Sequence, residues 1–148
     1  MLIRTADHGD ISVIEQIERE TPSPWSRALI AQEFAFSEGV QLVACSPSDT
    51  LPIGWCCARS FPPEAELLKV AVANKHRRKR IAQRLLQALF LHLKSIHCQT
   101  LYLEVRSRNT AAIQLYSKLG FTIQGSRSAY YRDPIDDAAI FSKVLQED

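Results

Sequence analysis

The amino-acid sequence predicts a mixed α/β fold, in which about four helices flank a central sheet of about seven strands. Three observations lead to this prediction. A long amphipathic helix is expected at residues 78–93, several short β-like runs precede it, and a strand–helix–strand unit follows it. Short turns join antiparallel strands, whereas a helical crossover joins parallel ones, so one sheet with both kinds of pairing is expected.

The N-terminal part is predicted to form one strand and two helices. Residues 1–5 are expected to form a short strand. Asp10 is a residue type that caps helices, and the residues after it have isoleucines at roughly helical spacing. These are Ile11, Ile14 and Ile17. An irregular Thr-Pro-Ser-Pro stretch follows, and Ser26 is then the expected N-cap of a second helix that ends near residue 36.

Three strands are predicted next. The runs at 41–45 and 53–61 are separated by a Ser-Pro-Ser-Asp turn, which favours an antiparallel hairpin. A third strand, at 66–73, follows a Pro-Pro bend. The remaining elements are the helix at 78–93, strands at 100–105, 121–126 and 138–145, and a helix at 109–119 that Gly120 ends. The predicted order is therefore β-α-α-β-β-β-α-β-α-β-β.

Composition limits the class of protein. The chain has 148 residues, of which 46% are hydrophobic and 23% charged, and this fits one globular domain over residues 1–148. A net charge of +2 is not the strongly basic balance of a dedicated nucleic-acid binder, so no direct nucleic-acid binding is expected. Arg4 and Asp7 interrupt the N-terminal region, and no apolar run reaches membrane-spanning length. We therefore expect a cytoplasmic protein with no membrane partner.

The four cysteines are expected to be reduced, buried thiols rather than redox groups or metal ligands. Cys56 and Cys57 are adjacent, so they should point to opposite faces of a strand. The other two are Cys45 and Cys98, and no Cys-x-x-Cys pair suggests zinc. No metal site is predicted.

A cationic segment at residues 76–82 lies between a predicted strand and the start of the long helix. Free backbone N–H groups and the helix dipole favour an anion at such a position, and four consecutive cationic side chains add to that attraction. A phosphate or diphosphate is the expected ligand. Two alternatives remain open, namely a solvated cationic face and an RNA-contacting patch.

Glu104 is an unusual residue for a central strand. Leu101, Leu103 and Val105 occupy one side of the predicted strand, while Glu104 faces the other with Tyr102. A buried carboxylate is unfavourable unless it is paired, hydrated or used in chemistry. The alternative is a strand-end glutamate that pairs with Arg106 or Arg108 at the surface.

Two residues of the following helix have structural interpretations beside functional ones. Tyr116 lies with Ala112, Leu115 and Leu119 and so fits an apolar core stripe. Asn109 fits an ordinary helix N-cap.

Together these residues resemble the GNAT superfamily, whose coenzyme A loop reads Gln/Arg-x-x-Gly-x-Gly/Ala between a strand and a helix. The segment Arg-Arg-Lys-Arg-Ile-Ala at 77–82 matches at Arg77 and Ala82 and departs at Arg80, where glycine is usual. Glycine allows a close backbone approach to a diphosphate. With a helical φ, Arg80 would still supply the same backbone N–H, and its guanidinium would reach phosphate.

A longer match covers residues 101–121, whose sequence is LYLEVRSRNTAAIQLYSKLGF. It resembles the RimI-type ribosomal-protein-alanine N-alpha-acetyltransferases, which read LEVR-x-x-N-x-x-A-x-x-LY-x-x-x-GF there. Pro-Trp-Ser at 24–26 and the Tyr-Tyr pair at 130–131 also fit that subfamily. The resemblance implies the GNAT acyl-CoA N-acyltransferase fold, with acetyl-CoA as cosubstrate and the N-terminal amine of a small-subunit ribosomal protein as acceptor.

The resemblance also implies roles for individual residues. Glu104 corresponds to the family's general base and Tyr116 to its general acid. The implied coenzyme contacts are Val70, Ala71, Val72, Arg77, Arg78, Lys79, Arg80, Ile81, Ala82, Gln83 and Asn109. The implied acceptor contacts are Trp25, Tyr130 and Tyr131. Two alternatives remain open. The acceptor could be a lysine side chain or a small-molecule amine, or the chain could be a non-catalytic acyl-CoA-binding or RNA-associated module.

Overall fold

The computed structural model describes residues 1–146 as a seven-stranded mixed sheet covered by helices on both faces. The elements are β1 (Leu2–Thr5), α1 (Ile11–Arg19), α2 (Arg27–Ala35), β2 (Gly39–Cys45), β3 (Pro52–Phe61), β4 (Glu64–Val72), α3 (Ile81–Ser95), β5 (Thr100–Arg106), α4 (Thr110–Lys118), β6 (Thr122–Tyr131) and β7 (Asp136–Val144). The predicted fold class and order of elements are confirmed. The predicted single domain runs to residue 148, and its last two positions lie outside the described residues.

The strands lie in the order β1-β2-β3-β4-β5-β7-β6. The pair β4–β5 is parallel because α3 connects these strands across one face of the sheet, and the other pairs are antiparallel. The sheet therefore has the mixed pairing that the connections predict.

One predicted helix start and one predicted helix cap need correction. The long helix begins at Ile81 rather than at residue 78, because the cationic residues before it form an irregular turn. Asp10 precedes α1 but makes no side-chain cap bond to it. Its carboxylate instead accepts two hydrogen bonds from the Arg4 guanidinium, at 2.8 and 2.9 Å, and one from the backbone N–H of Asp7 at 2.8 Å. Ser26 caps α2 as predicted, accepting from the N–H of Leu29 at 3.1 Å.

Two apolar cores lie on opposite faces of the sheet. The larger one packs α3 against the strands and contains the fully buried Leu85, Leu86 and Leu89. The smaller one packs α1 and α2 around the fully buried Trp55. We refer to these as the α3 face and the α1 face. Because the two faces are covered by different helices, the direction of each strand side chain decides which helices it meets.

The cysteines are buried and carry free thiols, as predicted. Cys56 belongs to the α3 face and its neighbour Cys57 to the α1 face, which confirms their opposite directions. Burial is the main reason that the pKa of each of these two thiols rises to about 12. Both thiols are thus protonated at neutral pH and are weak nucleophiles.

The strands β4 and β5 separate partway along their length. Residues 64–67 of β4 pair with residues 100–103 of β5, and the pairing ends there. Beyond that point β4 remains paired only with β3, while residues 104–106 of β5 pair only with β7. We call the opening between residues 68–72 and 104–106 the cleft.

A β-bulge stands where the cleft begins. Cys57 pairs with Lys69 and Ala58 pairs with Leu67, so Leu68 is an extra residue with no partner in β3. The insertion changes the phase of side-chain alternation along β4. As a result Leu67, Val70 and Val72 meet the α3 face, whereas Leu68 and Ala71 meet the α1 face.

None of the helices within residues 1–146 has the length and hydropathy needed to span a bilayer.

Candidate active site

Glu104 lies at the mouth of the cleft. It is the first residue of β5 beyond the parallel pairing, because the last pair joins Leu67 to Leu103. Leu103 and Val105 point into the α3 face, so the Glu104 side chain points to the opposite face of the sheet. The helices α1 and α2 cover β2, β3 and β4 on that side, and the Glu104 side chain remains 28% exposed.

The ionic partner of Glu104 is Arg127, which the sequence did not indicate. The Arg127 Nε atom lies 3.4 Å from Glu104 Oε1, and the arginine side chain is 55% exposed. The pairing with Arg106 or Arg108 considered above is wrong. Arg106 donates to the Pro134 carbonyl at 2.6 Å and stacks on a tyrosine ring, and no ion pair within residues 1–146 involves Arg108. An exposed pair of this kind is weak, so Arg127 does not hold the Glu104 carboxylate firmly.

Tyr116 approaches the cleft from the other face. It is the buried residue of α4, 8% exposed, and its ring makes an edge contact with Phe121 at 5.5 Å. Burial, with smaller contributions from Tyr131 and Cys56, raises the pKa of Tyr116 to about 12. The phenol is therefore protonated throughout the physiological range. Tyr116 thus belongs to the core of the α3 face, as its spacing suggested, and it lies near Tyr131 and Cys56.

Tyr131 lies near both Glu104 and Tyr116. It ends β6, is half-buried, and has the Arg106 guanidinium 4.5 Å above its ring centroid. Burial and the charge of Glu104 raise the pKa of Tyr131, and Tyr131 in turn contributes to the raised pKa of Tyr116. The more exposed Tyr130 contacts the Tyr131 ring edge-on at 5.1 Å. The two tyrosines thus form a wall of the cleft beside Glu104.

The edge of β4 offers backbone groups to the cleft. The N–H of Ala73 donates to the Ile53 carbonyl at 2.8 Å, so Ala73 directs its backbone groups toward β3. By the alternation of an antiparallel ladder, Ala71 does the same, while Val70 and Val72 direct theirs into the cleft. The Val72 carbonyl accepts a hydrogen bond from Arg77 Nε at 3.2 Å. Of the three predicted residues in this strand, Val70 is therefore the one whose backbone groups face the cleft without a hydrogen bond from Arg77 or β3.

The cationic turn before α3 differs from expectation at Arg80. Its φ and ψ are 61° and 24°, which is the left-handed region rather than a helical conformation. Arg78 has a φ of 64°. A left-handed conformation costs a non-glycine residue roughly 1–2 kcal/mol, which explains why glycine suits position 80. Left-handed residues of this kind are typical of turns that bind anions through successive backbone N–H groups.

The start of α3 has free amides. Arg80 is the N-cap residue and provides no side-chain hydrogen bond, so the N–H groups of Ile81, Ala82 and Gln83 lack an intrahelical acceptor. The side chains of residues 78–80 are exposed, and those of Arg78, Lys79 and Arg80 carry three positive charges. The Arg77 guanidinium instead braces the turn, because it donates to the carbonyls of Val72 and Glu20.

Asn109 is the N-cap of α4. Its Oδ1 atom accepts from the N–H of Ala112 at 3.2 Å, which confirms the capping interpretation. A coenzyme contact by the rest of its side chain stays a prediction.

Trp25 lies in the connection between α1 and α2, on the α1 face. Its ring makes an edge contact with Trp55 at 5.7 Å, and its backbone N–H donates to Glu18 Oε1 at 2.9 Å. Lys69 Nζ lies 5.9 Å from the centroid of the Trp25 ring. Sequence reasoning missed both Glu18 and Lys69. A signal for Glu18 existed, because it stands four residues after Ile14 and seven after Ile11, on the buried stripe of α1.

Comparisons with known proteins agree with this geometry. A model of the acetyltransferase (GNAT) family matches residues 11–121. The ribosomal protein bS18-alanine N-acetyltransferase of Escherichia coli strain K12 is 40% identical over 81 residues, and the matched part spans 53% of this chain and only 55% of that protein. The Salmonella typhimurium enzyme of the same name is 41% identical over 124 residues, covering 82% of this chain and 81% of that protein.

A solved structure gives the same result for the fold. The crystal structure of the ribosomal-protein-S18-alanine N-acetyltransferase from Escherichia coli superposes with a TM-score of 0.91 at 27% identity, covering 99% of this chain and 95% of that one. The family resemblance inferred from residues 77–82 and 101–121 is confirmed. The chain belongs to the acetyltransferase (GNAT) family.

Proposed function

We propose that this chain transfers an acetyl group from acetyl-CoA to the N-terminal α-amine of a protein, most specifically a small-subunit ribosomal protein. The observation that carries the proposal is the cleft between β4 and β5, which has Glu104 on the α1 face and Tyr116 on the α3 face. A base and a proton donor on opposite faces suit a direct transfer between two substrates that meet in the opening.

The donor side of this proposal rests on backbone groups. The diphosphate of acetyl-CoA would bind the free amides of Ile81, Ala82 and Gln83, where the helix dipole and the neighbouring cations favour an anion. The pantetheine arm would extend along β4 and hydrogen-bond the backbone groups of Val70. Asn109 lies at the start of α4, and its amide is the proposed further contact.

The acceptor would enter from the α1 face, since the coenzyme occupies the α3 side. An N-terminal amine has a pKa of about 7.8 and is partly neutral near pH 7, whereas an unperturbed lysine has a pKa of about 10.4. As the neutral amine attacks the thioester carbonyl, Glu104 accepts its proton directly or through a water. Trp25 on one side and Tyr130 and Tyr131 on the other are the proposed walls for the peptide.

Collapse of the tetrahedral intermediate forms the amide bond and breaks the carbon–sulfur bond. The sulfur leaves as a thiolate, which Tyr116 stabilises by a hydrogen bond. A phenol with a pKa of about 12 is a weaker acid than an alkyl thiol, whose pKa is about 8.5, so stabilisation precedes any complete proton transfer. The thiolate is then protonated by Tyr116 or by water, and Glu104 returns its proton to solvent. The products are the acetylated amine and coenzyme A, and no covalent intermediate on the protein is required.

The similarity to two ribosomal protein bS18-alanine N-acetyltransferases supports the ribosomal acceptor. Of the acids near the β6–β7 turn, the exposed Asp133 agrees with a basic peptide. Asp136 is buried and Asp137 accepts a hydrogen bond from the N–H of Ala129 at 2.8 Å, so these two carboxylates hold the turn instead. Lysine side chains and small amines are the competing acceptors, and they require the same donor half.

A thiol-release assay tests the proposal. Peptides with the N-terminal sequences of small-subunit ribosomal proteins are supplied with acetyl-CoA, each beside a matched peptide whose N-terminus is blocked and which keeps its lysines. We expect release of coenzyme A only with free N-termini. Release with the blocked, lysine-containing peptides alone would contradict the acceptor class, and acetyl-CoA binding without release from any amine would indicate a non-catalytic module.

A further inference from the structure

Glu18 carries a carboxylate that is completely buried, at 0% exposure, between α1 and the sheet. Three donors surround it. The Trp25 backbone N–H lies 2.9 Å from Oε1, the Trp55 indole N–H lies 2.9 Å from Oε2, and Lys69 Nζ lies 3.1 Å from Oε1. A buried carboxylate is tolerated only when it is paired and hydrogen-bonded in this way.

Lys69 reaches this site because of the β-bulge. With unbroken alternation along residues 67, 68 and 69, position 69 would point toward the α3 face, as Leu67 does. The bulge turns Lys69 to the α1 face, where its side chain is only 16% exposed. Lys69 directly precedes Val70, so the buried pair is anchored on the strand that lines the cleft.

Both members of the pair hold the chain that connects α1 and α2. We call residues 20–26 the connecting segment. Glu18 accepts from the N–H of Trp25, and Lys69 Nζ donates to the Ser23 carbonyl at 2.9 Å. The segment has no helix or strand of its own, so side-chain contacts of this kind determine where it lies.

The segment is also tied to the cationic turn. The Glu20 side chain accepts from the N–H of Asn74 at 3.0 Å, and the Glu20 carbonyl accepts from Arg77 Nη2 at 3.4 Å. One end of the connecting segment therefore contacts the proposed phosphate site, while the other carries Trp25. The segment therefore lies against the α1 face of β4, in contact with Lys69, which belongs to the part of the strand that lines the cleft.

We propose that the Glu18–Lys69 ion pair is a positioning pair that fixes the connecting segment as the acceptor-side wall of the cleft. This inference rests on the proposed entry of the amine from the α1 face. A buried ion pair adds little net stability in general, whereas it fixes geometry through directed contacts. The pair touches neither reacting group, so its effect falls on acceptor binding and not on the chemical step.

The central variant is Lys69→Met, which removes the ammonium group and keeps the length of the side chain. We expect the KM for the acceptor peptide to rise about tenfold or more, because a displacement of about 1 Å in a positioning element changes rates by that order. Values of kcat at saturating peptide and Kd for acetyl-CoA should stay within about twofold to threefold of wild type. Lys69→Arg keeps the charge and the donors and should restore most of the acceptor KM.

Arg59→Met is the matched control. Arg59 pairs with Glu33, which is also nearly buried, between α2 and β3. Arg59 lies opposite Glu66, at the end where β4 and β5 are still paired, so this pair is remote from the cleft. Loss of the Arg59 pair should lower the unfolding temperature without raising the acceptor KM.

Amide hydrogen exchange gives a second measurement that does not depend on turnover. In Lys69→Met, exchange at the amides of Thr21, Ser23 and Trp25 should accelerate by more than about tenfold, while amides in β2 and β3 keep the wild-type rate. If Lys69→Met folds poorly, the double variant Glu18→Gln/Lys69→Met removes the uncompensated buried charge and is measured in the same way.

The outcomes separate the two proposals. If the wild-type chain acetylates N-terminal peptides and Lys69→Met has unchanged acceptor KM, the positioning inference is overturned and the proposed function stands. If Lys69→Met raises the KM for acetyl-CoA as much as the KM for the peptide, the pair has a general structural role and the positioning inference is overturned. The same conclusion follows if Arg59→Met raises the KM for the peptide as much as Lys69→Met does. A wild-type chain that acetylates only another class of amine contradicts the proposed function, and the same KM comparison is then made with that amine.

Discussion

The two sides of the cleft are built from different chemical groups. The side that we assign to the donor consists of backbone groups, namely the free edge of β4 at Val70 and the amides that begin α3. The side that we assign to the acceptor consists of side chains, with Glu104, the tyrosines that end β6, and the connecting segment held by Glu18 and Lys69.

This difference teaches where the sequence is free to change. Backbone groups keep their direction under substitution as long as the chain adopts the same φ and ψ, so the turn tolerates Arg80 at a position that favours glycine. Side-chain groups are lost with a single substitution. We therefore expect donor binding to be robust and acceptor choice to be sensitive. The predictions for Glu104 and Arg80 below test that contrast, and those for Tyr116 and the cysteines test the mechanism.

The largest effect is expected for Glu104→Gln on the acceptor side. The amide has the shape of the carboxylate but cannot accept a proton, so kcat should fall by about 10²-fold or more. Affinity for acetyl-CoA, measured by calorimetry, should not change. A variant that retains wild-type turnover would remove Glu104 as the base.

A smaller decrease in kcat is expected for Tyr116→Phe. Burial already holds the hydroxyl protonated, and its removal should lower kcat by more than about tenfold while the ring still packs on Phe121. The pKa of Tyr116 is raised to about 12, so the group loses its proton only above that pH. The wild-type pH–rate profile should therefore show no decline caused by Tyr116 up to about pH 10. A decline near pH 9 that vanishes in Tyr116→Phe would contradict the raised pKa.

On the donor side, Arg80→Gly should stabilise the fold modestly and leave the binding of acetyl-CoA almost unchanged. Glycine adopts a φ of 61° without strain, so the free energy of unfolding should rise by about 1 kcal/mol. Because the amides provide the binding, Kd for acetyl-CoA should change by less than about threefold. Arg84→Gly is the comparison, since Arg84 lies inside α3 and a helix-interior glycine should destabilise by about 1 kcal/mol. A loss of affinity above tenfold in Arg80→Gly would show that the guanidinium, and not the backbone, holds the phosphate.

The smallest effect is expected at the cysteines. Cys56 and Cys57 are buried and protonated, with pKa values of about 12, and the proposed reaction forms no thioester on the protein. Cys56→Ala and Cys57→Ala should each keep kcat within about twofold at a temperature well below unfolding. Abolished turnover in either variant, with the fold retained, would require a different mechanism.

The order of the elements was predictable from the sequence because each element has a strong local signal. Helix α3 has apolar residues on one face over four turns, and Ser26 and Asn109 are typical caps. Local signals fail where a distant partner decides the outcome. Asp10 has the right type for a cap, but Arg4 binds its carboxylate across the strand–helix boundary.

The candidate site was predictable only in part. Glu104 and Tyr116 come from a resemblance over a continuous stretch, and the cationic turn from its charge and place before a helix. The left-handed φ of Arg80 was not predictable, since arginine rarely adopts it. The Glu18–Lys69 pair depends on one unpaired residue, Leu68, which reverses the faces of β4, and alternation of residue types does not reveal such a bulge.

The central claim is that donor and acceptor meet in the cleft from opposite faces of the sheet. The most direct test compares amide hydrogen exchange of the wild-type chain bound to coenzyme A with that of the chain bound to a coenzyme A–peptide conjugate. We predict that coenzyme A protects the amides of Val70 and residues 80–83. The conjugate should add protection at the amides of Thr21, Ser23 and Trp25, and at those of residues 130–133 and 135–136. Added protection confined to the α3 face, with none in the connecting segment or the β6–β7 turn, would contradict the account.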